Sequence, residues 1–144
     1  MIWVIGCNGM LGKELCCILE KNGYSWQGTD KEIDITSFDI LYNYSKGKSF
    51  DWIVNCAAYT DVEKAEEEKE KVYSLNAIGA KNVATIASEI NAKLIHLSTD
   101  YVFSGMKNLP YLESDSISPI SVYGKTKAQG EQFVLENNPS TFII

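Results

Sequence analysis

Tyr123 and Lys127 stand four residues apart in YGKTK, inside a stretch at 121–138 that reads as a helix, so both side chains leave one face a turn apart. A free phenol titrates near about 10 and is a poor proton donor or acceptor at neutral pH. An ammonium held beside it favours the phenolate and lowers that value, so the hydroxyl can exchange a proton with a substrate oxygen. The same spacing is common on ordinary helix surfaces, and its meaning depends on what surrounds it. Ser98 and Thr99 close the apolar run KLIHLST at 93–99. In open α/β sheets ligands bind beyond the carboxyl ends of the strands, so a hydroxyl there either faces a ligand or bonds local backbone.

A second constellation lies at the other end of the chain. Gly6, Gly9 and Gly12 form G-C-N-G-M-L-G between an apolar run and a helical pattern. One glycine makes the tight turn, another lets backbone N–H groups approach a pyrophosphate, and a third permits close helix–strand packing. The helix N-terminus adds partial positive charge for phosphates. Asp30 follows Gly12 by 18 residues, near the offset expected of a carboxylate that accepts from the adenosine ribose hydroxyls. Such an acid accepts from a 2′-hydroxyl and repels a 2′-phosphate, which favours NADH. Lys31 offsets part of that repulsion, and NADPH stays open. Cys7, between the glycines, reads as a small tolerated side chain.

These groups need a frame, and the periodicity supplies one. MIWVIG at 1–6 is a strand buried on both faces. Leu11, Leu15, Ile18 and Leu19 recur at helical spacing until Asn22-Gly23. A strand over 24–29 ends at Asp30, and a helix starts near Thr36, whose hydroxyl is placed to cap Asp39, and stops at Gly47. DWIVNCA at 51–57 is a third strand. DVEKAEEEKEK at 61–71 mixes five glutamates and Asp61 with Lys64, Lys69 and Lys71, the pattern of a solvated, salt-bridged helix face. A helix from 72 to 90, a fourth strand at 93–99, a long loop at 100–121, the helix carrying Tyr123 and a strand-like TFII complete the chain. Loops of that length are usually functional. The β-α-β order predicts a Rossmann-type, doubly wound parallel sheet in three layers, an α/β fold occupying residues 1–144. The lone histidine, His96, reads as a packed or hydrogen-bonded strand residue, and Trp3, Trp26 and Trp52 as strand packing.

Composition narrows the function. The 144 residues are 45% hydrophobic and 22% charged, which is globular rather than disordered. All 13 basic residues are lysine and the net charge is −6, a poor basis for nucleic-acid binding. No apolar run approaches the roughly 20 residues of a membrane span. MIWVIGCNGM lacks a secretory leader, and four cysteines without a CxxC pair read as reduced thiols, so a cytoplasmic protein without a metal site is expected.

With these residues in view the chain resembles the extended short-chain dehydrogenase/reductase family, in its branch acting on dTDP-sugars. The resemblance runs through GCNGMLG at 6–12, Asp30, DI at 34–35, VNCAAYTDVEKAE at 54–66, LNA at 75–77, HLSTDYVFSG at 96–105, PYLESD at 110–115 and P-x-x-x-YGKTK-x-x-GE at 119–131. It implies hydride transfer from NADH or NADPH to the 4-keto group of a dTDP-4-dehydro-6-deoxy sugar, and allows a homodimer. Tyr123 resembles the general acid, Lys127 the residue that binds the nicotinamide ribose and tunes the phenol, and Thr99 the hydroxyl on the C4 carbonyl with Asp100 beside the sugar. Met10 and Leu11, with Gly6, Gly9 and Gly12, match the pyrophosphate loop; Asp34 and Ile35 the segment passing the adenine; Ala57, Ala58 and Tyr59 the wall along the ribose and nicotinamide. Asp100 is followed by Tyr101, whereas the related dehydratases carry an Asp-Glu pair, so simple carbonyl reduction fits best.

Relatives in that family carry a second, C-terminal portion of comparable size that supplies most nucleotide-sugar contacts. This chain stops inside an apolar, strand-like run, so it is expected to be the cofactor-binding half of a longer enzyme, truncated within a strand. The alternative is a non-catalytic nucleotide-binding protein, as in the resemblance of the same fold to the regulatory subunit of methionine adenosyltransferase. Retention of Thr99, Tyr123 and Lys127 favours the enzyme.

Overall fold

A computed structural model describes all 144 residues. β1 (Ile2–Ile5) leads into α1 (Met10–Lys21), β2 (Trp26–Thr29), α2 (Phe38–Ser45) and β3 (Trp52–Asn55). Two short helices follow, α3 (Val62–Ala65) and α4 (Lys69–Tyr73), then a π-helical turn (Ser74–Gly79) that runs straight into α5 (Ala80–Glu89). β4 (Lys93–His96), a 3-10 turn (Asp100–Val102), α6 (Val122–Asn137) and β5 (Phe142–Ile143) complete the order. No helix is long and apolar enough to cross a membrane.

All strand pairs are parallel and the sheet order is β2-β1-β3-β4-β5. The chain leaves β1 to one side for β2 and then returns to the other side for β3. The crevice outside the carboxyl ends of β1 and β3 is therefore the topological switch point where such sheets bind ligands. Alternation along β1 divides the core. Trp3 and Ile5 join Leu41, Ile53, Ile86, Leu94 and Val134 beneath α2, α5 and α6. Val4 faces the opposite layer with Cys16 and Leu19 of α1. Each fully buried aliphatic side chain in these layers contributes about 1.5–3 kcal/mol. The indole of fully buried Trp3 donates to Thr29 Oγ1 at 2.8 Å, so its one polar atom is satisfied.

Local structure departs from the expected pattern in two places. Thr36 does not cap α2. Its hydroxyl and its N–H both donate to Asp34 Oδ1 at 2.8 Å in a turn that precedes the helix, which starts later, with Ser37 in the N-cap position. The acidic stretch at 61–71 is not one helix followed by another from 72. Asp61 caps α3 by accepting from Lys64 N at 3.1 Å, the chain turns at 66–68, and Lys69 opens a helical run continuing to Glu89. The Lys64–Asp61 and Lys71–Glu68 pairs, at 3.4 and 2.8 Å, lie on the solvated side of these helices.

Candidate functional site

A cleft of about 570 Å³ opens at the switch point, and Gly6, Gly9, Asp30, Asp34, Ile35, Ala57 and Ala58 are among its lining residues. Gly6 turns the chain off β1 with φ +80°, and a Cβ there would lie 2.8 Å from Ala57 N. Gly12 packs the first turn of α1 onto that bend: a Cβ would sit 2.2 Å from the Gly6 carbonyl oxygen. The amides of Met10, Leu11 and Gly12, at the start of α1, find no acceptor within the protein, and the first turn carries no acid. Unpaired N–H groups at a helix N-terminus attract anions; this terminus follows Gly9, which lines the cleft, while Met10, Leu11 and Gly12 are not among the lining residues. The side chains of Met10 and Leu11 are exposed, and what the start of α1 offers a ligand is its unpaired backbone amides.

Asp30 stands at one end of the cleft, where its carboxylate accepts from Asn8 N and Lys31 N, both at 2.9 Å. These bonds hold the glycine loop against the end of β2 and leave lone pairs for a ribose. Asp34 is engaged by Thr36, and Ile35 is buried against Gly79, where an added Cβ would come within 2.7 Å of it. Asn82 of α5 donates to the carbonyls of Ile35 and Thr36 at 3.0 and 3.1 Å and fixes this wall from behind.

At the other end, Ala57 N donates to Asn55 Oδ1 at 3.2 Å, and Asn55 Nδ2 reaches His96 Nδ1 at 3.2 Å. Accepting at Nδ1 places the ring proton of neutral His96 on Nε2, which has no partner. Burial, reinforced by the nearby charge of Lys127, pushes the His96 pKa down from 6.5 to about 3. The unfolded chain therefore takes up a proton that the folded chain refuses, and stability falls as pH drops from about 6.5 toward 3. The unfolding free energy in urea should fall by several kcal/mol over that window, and His96→Gln should flatten the dependence. A slope unchanged by the substitution would assign acid sensitivity to other groups.

Tyr59 does not line the cleft. Its N–H donates to Asn76 Oδ1 at 2.7 Å, its carbonyl accepts from Asn76 Nδ2 at 3.1 Å, and its hydroxyl donates to Glu68 at 2.8 Å. That last bond, to an acceptor already negative, pushes the phenol up to about 12. Asn76 sits in the π-helical turn and also donates to Thr126 Oγ1 at 3.3 Å, and Thr126 in turn donates to the Tyr123 carbonyl at 2.9 Å. One buried amide thus ties the chain after β3 to α6. π-helical turns often mark functional sites, and this one carries that amide.

α6 begins at Ser121, whose hydroxyl accepts from Gly124 N at 3.0 Å, and presents Tyr123 and Lys127 from one buried face. Glycines bring this helix close: a Cβ at Gly124 or Gly130 would lie 2.3 Å from the carbonyl oxygen of Tyr101 or Asn76. The Tyr123 ring meets Tyr101 edge-on, with centroids 5.5 Å apart. Lys127 Nζ donates to the Leu97 carbonyl at the end of β4, and burial pushes its pKa down from 10.5 to about 8. Thr99, half-buried, caps the 3-10 turn by accepting from Tyr101 N at 3.2 Å, and its hydroxyl lies 3.4 Å from Asp100 Oδ1. Thr99, Tyr123 and Lys127 do not line the 570 Å³ cleft. They stand one strand further along the sheet, beyond Ala57 and Ala58, because β4 is the neighbour of β3.

Residues 1–144 match the family described as the RmlD substrate binding domain. The chain belongs to that family. Among RmlD-family relatives, it is 40% identical over 143 residues to the dTDP-4-dehydrorhamnose reductase of Aggregatibacter actinomycetemcomitans, covering 98% of this chain and 49% of that protein. It is 47% identical over 152 residues to the enzyme of the same name from Salmonella typhimurium, covering 99% and 49%. The dTDP-4-dehydrorhamnose reductase of Bacillus anthracis, solved in complex with NADP, superimposes with a TM-score of 0.95 at 40% identity, covering 99% of this chain and 51% of that one. The chain spans about half the length of the curated relatives it matches.

Four polar residues of this RmlD-family chain receive no role from the motif reading, although three of them, Asn55, Asn76 and Glu131, lie within its motif segments; the fourth is Asn82. Each acts through a partner distant in sequence, so no local spacing announces it. A signal was present all the same. Asn76 interrupts the apolar stripe Leu75, Ile78, Val83, and an amide inside such a stripe must find a buried partner.

Proposed function

We propose that this chain is the cofactor-binding half of a reductase that converts dTDP-4-dehydro-6-deoxy-L-mannose to dTDP-L-rhamnose at the expense of NADH or NADPH. The observation that carries the reading is a switch-point cleft beside the unpaired amides of α1 and, one strand along, Lys127 bonded to the Leu97 carbonyl two residues before Thr99, with Tyr123 on the same buried face of α6. Family membership and the activity for which the relatives are named point the same way.

The residues present fit a dinucleotide: the open amides of α1 take the pyrophosphate, Asp30 the adenosine ribose, Asp34 and Ile35 the adenine side, and Ala57 and Ala58 the far ribose. When bound, the dihydronicotinamide supplies a hydride to the sugar C4. Tyr123 gives its phenolic proton to the C4 oxygen, so that hydride and proton together turn the carbonyl into an alcohol. Thr99 donates to the same oxygen and orients it. Lys127, protonated, steadies the phenolate left behind and holds a ribose hydroxyl. Asp100 faces the sugar beside Thr99. Asp30 favours NADH, although its oxygens are already shared with two amides, and both cofactors belong in the assay.

The test is loss of dihydronicotinamide absorbance when the full-length protein, of which this chain is the cofactor-binding half, meets the keto sugar. Substrate-dependent oxidation supports the reading, and none with either cofactor removes it. Because burial sets the Lys127 pKa at about 8, kcat/KM should decline above pH 8 as the ammonium is lost. A profile flat through that range would remove Lys127 from the chemistry.

A further inference from the structure

We propose that Glu131 is a positioning residue, which through Ser98 holds the end of β4, and with it the Thr99 hydroxyl, in register with Tyr123 and Lys127. This deepens the reductase reading and rests on it. Three consecutive residues leave β4 with different tasks. The Leu97 carbonyl accepts from Lys127 Nζ, the Ser98 hydroxyl donates to Glu131 Oε1, and Thr99 carries the hydroxyl assigned to the substrate. Lys127 and Glu131 are four residues apart on α6 and only 2% and 9% exposed. Two neighbouring residues of the strand end are therefore pinned to two successive turns of one helix face.

α6 itself has little room to move. Gly124 and Gly130 set its backbone directly on the carbonyls of Tyr101 and Asn76, and Thr126 is bonded to Asn76. With the helix fixed, and the strand end held through its backbone by Asn55 and Ile144, the Ser98–Glu131 bond is the side-chain tie that sets the residue before Thr99 against α6. A carboxylate is a costly group to bury for this purpose. Burial raises the Glu131 pKa, against the Ser98 hydrogen bond and the charge of Lys127, which lower it. Besides Glu131, the titratable group coupled to Lys127 is His96 from β4, uncharged at neutral pH. A misplacement on the order of 1 Å can cost about 100-fold in rate, so a loosened Thr99 should be visible in turnover.

The experiment compares Glu131→Ala, Glu131→Gln, Ser98→Ala and the double variant Ser98→Ala/Glu131→Ala in keto-sugar-dependent NAD(P)H oxidation, in cofactor binding, and by NMR at the Thr99 amide. Glu131→Ala and Ser98→Ala should each lower kcat by about 10–30-fold while the cofactor Kd stays within about twofold. Glu131→Gln, which keeps an acceptor for Ser98, should stay within about threefold of wild type. The double variant should be no slower than the slower single, because both remove one bond. The Thr99 amide resonance should move in Glu131→Ala and stay in Glu131→Gln. Additive losses, a glutamine as slow as alanine, or an unmoved Thr99 amide in Glu131→Ala overturn the proposal. Should Glu131→Ala not fold, Ser98→Ala against Glu131→Gln makes the same decision. If the wild type oxidises no cofactor on the keto sugar, the reductase reading fails, and the Thr99 resonances alone then decide for or against the latch.

Discussion

Tyr123→Phe is expected to lower keto-sugar reduction by about 10²–10⁴-fold, the range for losing a positioned general acid, with cofactor affinity and folding unchanged. The substitution is clean because the ring and the hydroxyl have separate tasks. The ring is 9% exposed, packs with Ala65 and Val72, and meets Tyr101 at an interplanar angle of 74°, all of which phenylalanine retains. Only the proton donor is removed. Unfolding curves of the two proteins should superimpose while single-turnover rates separate. A rate within about fivefold of wild type would mean that the proton comes from water or another side chain, and would take the phenol out of the mechanism.

Gly12→Ala should damage the other half of the site just as severely, and for steric reasons. The added Cβ would meet the Gly6 carbonyl oxygen at 2.2 Å and Cys7 Cα at 2.9 Å, both on the loop that turns off β1. Neither is the end of a flexible side chain, so the loop or the first turn of α1 must move. Overpacking of this kind costs about 1–3 kcal/mol or more in stability. The displaced turn also carries the open amides of Met10 and Leu11, so NAD(P)H affinity should fall by about 100-fold, equivalent to about 2.7 kcal/mol. Gly9→Ala is the matched control: its φ is −68° and an added Cβ stays 3.3 Å from the same oxygen, so it should cost much less. Equal losses at both positions, measured by thermal unfolding and cofactor titration, would rule out close packing at Gly12 as the reason for its glycine.

The order of strands and helices was legible because it is written locally. Buried parallel strands are short apolar runs, and an amphipathic helix repeats its apolar residues within a few positions, so MIWVIG, DWIVNCA and KLIHLST and the helices between them could be placed from neighbours alone. Glycine spacing before a helix is local in the same sense. Failures came where two local solutions compete. Thr36 is drawn into a turn with Asp34 ahead of the helix, and in the acidic run Asp61 caps a short helix of its own before Lys69 opens the next.

By itself, then, the sequence determined the doubly wound sheet, the glycine turn with its acid on the next strand, and the tyrosine–lysine face of one helix. The tertiary structure alone decided that Tyr59 turns away to Asn76, that Asn82 braces Ile35, and that Ser98 meets Glu131. It also decided that the phenol and ammonium stand one strand beyond the cleft rather than within its lining. The reason is physical. Periodicity encodes which face of an element is buried, but a buried amide or carboxylate finds its partner across 17 to 50 residues of chain, at a place set only when the elements pack.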